Sequence, residues 1–85
     1  MKIKVELNED QYYFAIRELY GEFDRELEYQ KENDSNTDRL KALLCIIKSL
    51  EAAYVKARPQ GKRVAEELIS IRENSIKKLE GECHA

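Results

Sequence analysis

The sequence predicts an all-α fold, a small three-helix bundle, and three observations carry that prediction. Apolar residues recur at steps of three and four in three stretches, at positions 12–27, 40–57 and 64–79. The 85 residues include three glycines and one proline, too few turn formers for a many-stranded β fold. Hydrophobic residues make up 42% and charged residues 38%, a balance too apolar for a disordered tail and too charged for a membrane protein. At this length the expectation is one domain spanning 1–85.

The elements follow in order. Residues 2–7 alternate charged with aliphatic side chains, the period of a half-buried strand, so 1–7 are expected to form an extended arm. A lone strand needs a partner, either the helices or a second copy of the chain. Asn8 and Gln11 fit a capping box, and Leu7 with Tyr12 fits the accompanying hydrophobic staple, which starts the first helix at residue 9. Its stripe is Tyr12, Ile16, Leu19, Tyr20, Phe23 and Leu27, and the helix is expected over about 9–32. The polar cluster Asn33-Asp34-Ser35-Asn36-Thr37 then turns the chain, with Asn36 or Thr37 as the next N-cap.

The second helix, about 37–57, carries Leu40, Leu43, Ile47, Leu50 and Tyr54, and Leu44, Ile46, Ala53, Val55 and Ala57 widen that stripe beyond half the circumference. Such a helix is covered by neighbours on two sides. Arg58-Pro59-Gln60-Gly61 interrupts it, because Pro59 removes a backbone donor and disfavours a helical Arg58. Val64, Leu68, Ile71, Ile76 and Leu79 define a third helix over about 61–80, fading at Gly81, with 82–85 as a frayed tail. The alternative topology is a two-helix hairpin whose second arm kinks at Pro59.

Charge and cysteine content narrow the function classes. Fifteen basic and 17 acidic residues leave a net charge of −2. Nine of the acidic groups lie in residues 1–33, so the molecule is dipolar and has no concentrated basic face for nucleic acid. Apolar runs such as Leu43-Leu44-Cys45-Ile46-Ile47 fall far short of the roughly 20 residues that span a bilayer. The opening MKIKVELNEDQ has no apolar leader region, and a cytoplasmic location is expected. Cys45 and Cys83 stand 38 residues apart with the single histidine, His84, beside the second. From these no nucleophile, base and orienter can be assembled, and a structural zinc site wants four ligands. The expectation is a protein without catalytic residues, metal or cofactor.

Four constellations remain. Glu18, Glu22 and Glu26 form one row of carboxylates at i, i+4 spacing, and Asp24, Glu28 and Glu32 a second. They read either as an acidic recognition face or as a solvated one relieved by Arg17, Arg25, Lys31 and cations of the other helices. Phe14 and Gly21 fall opposite the apolar stripe, alongside Glu18, Arg25 and Tyr29. A glycine inside a helix costs about 1 kcal/mol relative to alanine, which is tolerable where something packs close to the backbone. Phe14, Glu18, Gly21, Arg25 and Tyr29 are therefore the candidate interface for a partner protein or a second copy.

The third constellation is basic. Lys41, Lys48 and Lys56 line the polar side of the second helix, and Lys56, Arg58, Lys62, Arg63 and Arg72 are the candidate anion-binding residues, most of them grouped at the third helix's N-terminus. Arg72, with Ser75, lies in an apolar arc, so it is also a candidate for an ion pair with a carboxylate of the first helix. The fourth is Cys45 on the polar side of the second helix, read as a small helix residue because nothing equips it as a nucleophile.

In size, acidity, low glycine and proline content and helical-hairpin pattern, the chain resembles the short accessory proteins carried by bacteriophages and mobile elements. That resemblance implies a protein that binds and blocks a host component, such as a defence nuclease or a regulator. The expected function is thus non-enzymatic binding with self-association, the partner being a protein or a second copy, with no membrane and no nucleic acid. The alternative is an oligomer that binds or sequesters a nucleotide or phosphate.

Overall fold

The computed structural model describes residues 6–33 and 37–84, the last three of them by backbone alone. It is an all-α three-helix bundle: α1 (Glu9–Glu32), α2 (Asp38–Ala57) and α3 (Lys62–His84), with a 3-10 turn at Pro59–Gly61 before α3. Helix α1 begins where its cap dictates. The Asn8 side chain accepts from the Gln11 N–H, and the Gln11 side chain accepts from the Asn8 N–H, both at 2.9 Å. At the other end the Asn33 amide and backbone N–H both donate to the Tyr29 carbonyl, satisfying one of the last orphan carbonyls.

Pro59 turns the chain rather than kinking a longer helix. Arg58 leaves the helical region at φ −132° and ψ 81°, as proline disfavours a helical residue before it, and Gly61 N–H closes the turn on Arg58 C=O at 3.1 Å. Cross-helix pairs show the topology. Glu26–Arg39, Tyr20–Glu51 and Glu9–Arg58 step in opposite directions along α1 and α2, and Lys41–Glu80 and Lys48–Glu73 do the same along α2 and α3. α2 is therefore the middle helix, antiparallel to both neighbours, in a molecule of 43 × 28 × 22 Å.

The core is Phe23, Leu40, Leu44, Ile47, Ile76 and Leu79, flanked by Leu19, Leu27, Leu43 and Ile69. It lies toward the end where α1 turns into α2. The backbones of α1 and α3 stay apart and meet through side chains, chiefly Arg72 reaching Tyr20, Phe23 and Asp24.

Several expectations are corrected. Thr37 stands at the N-cap of α2 but makes no capping hydrogen bond; its hydroxyl donates to Glu80 on α3 at 3.1 Å. Asn36 lies outside the described residues, as do residues 1–5 of the expected arm, and Glu6–Asn8 form no strand. The third helix does not fade at Gly81 but continues through His84, because Gly81 does not take a positive φ, the left-handed conformation that ends a helix at glycine. Val64 and Ile71, placed in the buried stripe of the third helix by their spacing, are each 58% exposed.

Candidate functional site

The splay of α1 from α3 opens a groove at the end of the bundle away from the core. Its volume is about 450 Å³. Tyr54 and Glu51 of α2 form its floor, Tyr13, Arg17 and Tyr20 its α1 wall, and Val64 and Leu68 its α3 wall. Tyr13 leans on Tyr54 with ring centroids 6.4 Å apart, and the Arg17 guanidinium lies 5.8 Å from the Tyr13 centroid, both within the range of favourable ring contacts. Tyr13 and Val64 stand exposed along it.

Polar groups are fixed beneath the groove. Glu51 is 6% exposed and accepts a hydrogen bond from the Tyr20 hydroxyl. Burial pushes the Tyr20 hydroxyl well above its ordinary value, and the hydrogen bond and negative charge of Glu51 push it the same way. The Arg72 guanidinium stacks 3.8 Å from the Tyr20 centroid, pairs with Asp24 at 3.4 Å and reaches the Leu68 carbonyl at 3.4 Å. Its Nε is buried without a hydrogen-bond partner. The Tyr20 phenol, the Glu51 carboxylate and the Arg72 guanidinium thus engage one another and Asp24 beneath the groove.

Compared with protein-family models, curated proteins and solved structures, the chain matches none.

The expected interface residues lie together on the outer side of α1. Phe14 and Tyr29 are 66% and 58% exposed. Nothing in the chain packs closely on Gly21, where an added Cβ would meet only the Arg25 guanidinium, 3.7 Å away, so the close approach that would explain the glycine is not made within one copy. Arg25 pairs with Glu22 at 2.6 Å, an exposed pair that holds Glu22 below the usual carboxylate range. The acidic rows are largely relieved: Asp24 by Arg72, Glu26 by Arg39 and Glu28 by Lys31.

The anion-binding set does not assemble. Arg72 is buried between α1 and α3, nearly three helical turns beyond Lys62, and Arg58 is held by Glu9. Lys41 and Lys48 are taken by Glu80 and Glu73. Lys56, Lys62 and Arg63 stay exposed near the turn and form no ion pair among the described residues. Cys45 is exposed and unbridged. Among the described residues no group of three His, Cys, Asp or Glu could hold a metal ion, and no helix is long and apolar enough to cross a membrane.

Glu51 and the groove itself were missed in the sequence. Glu51 follows Ile47 by four and precedes Tyr54 by three, so a carboxylate stood in the stripe of α2, and that was the available signal. The exposure of Val64 along the groove leaves no such trace.

Proposed function

We propose that the protein is a non-catalytic binding module that joins copies through the outer side of α1 and takes an apolar helical segment of a partner protein in the groove between α1 and α3. The observation that carries this reading is the groove: Tyr13 and Val64 line one cleft yet stay exposed. An amphipathic helix laid there would bury them with anchors at i, i+3, i+4 and i+7 spacing. Binding would act by occupying the partner, in keeping with the accessory-protein resemblance and with a blocking or regulatory role. A phosphate ligand is less well supported, since Lys56, Lys62 and Arg63 are the cations left to it and they surround no polar pocket.

The test is a comparison of baits. Val64→Glu changes an exposed side chain, so the fold should keep its stability to within about 0.5 kcal/mol. A helical protein segment retained by wild type, mapped by crosslinking to α1 and α3 and lost with Val64→Glu, is the expected result. Equal retention by both baits contradicts the groove as the binding site.

A further inference from the structure

We infer that the outer side of α1 is a self-complementary antiparallel interface, on which a second copy of this chain docks with Glu18 of each copy against Arg25 of the other. The inference rests on the self-association proposed above and gives it a register. Its basis is the spacing of five exposed or half-exposed residues around one point, the midpoint between Gly21 and Glu22. Phe14 and Tyr29 stand seven and a half positions to either side, and Glu18 and Arg25 three and a half.

Two copies of a helix related by a two-fold axis through that point run antiparallel. Each residue then faces the one equally far on the other side, as an isologous contact requires. Phe14 meets the partner's Tyr29 at both ends, an aromatic pair of the kind that anchors interfaces. Between them the carboxylate of Glu18 meets the guanidinium of Arg25, twice, so the charges match where a parallel pairing would set Glu18 on Glu18 and Arg25 on Arg25. At the centre Gly21 offers bare backbone beside the movable Arg25 guanidinium, 3.7 Å from where a Cβ would stand, which lets the helices approach closely once Arg25 turns to the second copy.

Two features of the single chain fit this occupant. Asp24, Glu26 and Glu28 are neutralised by Arg72, Arg39 and Lys31, so α1 does not present a bare anionic surface to its copy. Arg25 pairs with Glu22, one turn away on the same exposed surface, with its side chain 68% exposed, and can turn to a new carboxylate at little cost. The contact spans about 24 Å of helix and buries less than the roughly 800 Å² per partner of a standard interface, so the dimer is expected in the micromolar range or weaker.

The experiment is a charge swap read by sedimentation over a concentration series, under reducing conditions because Cys45 is exposed, with far-UV circular dichroism showing that each variant stays helical. Glu18→Arg alone sets arginine on arginine and Arg25→Glu alone sets glutamate on glutamate, and each is expected to weaken association by about tenfold or more. The double variant restores both pairs and should return to within about threefold of wild type. An equimolar mixture of the two single variants should associate where neither does alone. Wild type that associates while the single variants match it overturns the register and leaves self-association standing. Wild type that stays monomeric throughout overturns both.

Discussion

Tyr20, Glu51 and Arg72 place a phenol, a carboxylate and a guanidinium beside the apolar core, and the behaviour of the Tyr20 hydroxyl with pH is predictable in sign. The folded chain holds the Tyr20 proton above the ordinary tyrosine range, chiefly through burial and then through Glu51. An unfolded chain loses that proton near pH 10. The folded state therefore binds more protons than the unfolded one above pH 10. Its stability, full below that value, falls as pH rises toward the raised folded value. The limiting slope is about 1.4 kcal/mol per pH unit, and the part-exposed ring should show less than that. Lys41, raised by its pairing with Glu80, adds a fall of the same sign in every variant. Tyr20→Phe should cost about 1–3 kcal/mol at neutral pH by stranding Glu51 and should flatten the decline above pH 10. Urea unfolding at pH 7 to 11 measures both, and an unchanged slope would contradict the burial of that hydroxyl.

At the scale of the elements, what could be read from the sequence depended on how far apart the partners are. The start of α1 was legible because Asn8 and Gln11 satisfy each other within one turn. The turn at Pro59 was legible for the same reason, its constraint falling on Arg58 directly. Thr37 was not, because its hydroxyl serves Glu80, 43 positions away. Of the candidate sites, the outer side of α1 was visible as residues off the stripe. The α1–α3 groove was invisible, since Val64 shares the spacing of buried residues yet lies exposed along the groove. Gly81 illustrates the limit well. Its composition suggested a helix end, yet α3 runs past it with no left-handed backbone and open space around it. Gly81→Ala should accordingly stabilise the protein by about 0.5–1 kcal/mol in thermal or urea unfolding. A loss of stability would show that α3 ends there.

For the whole molecule, the two ends of the bundle and the outer face of α1 differ in what they bury. Phe23, Leu40 and Ile47, which are fully buried, hold one end shut. At the other, side chains that would complete a longer core are left open as a groove. On the outer side of α1 the Phe14 and Tyr29 side chains are exposed and Gly21 has the Arg25 guanidinium as its near neighbour among the described residues, so substitution there is expected to separate association from folding. The central claim, that this surface joins copies of the chain, is tested most directly by light-scattering mass over a concentration range for wild type and Phe14→Glu. The account predicts that wild type rises from monomer toward dimer as concentration increases, while Phe14→Glu keeps the same helicity and stays monomeric to concentrations at least about tenfold higher. Equal masses for the two proteins at every concentration would contradict it.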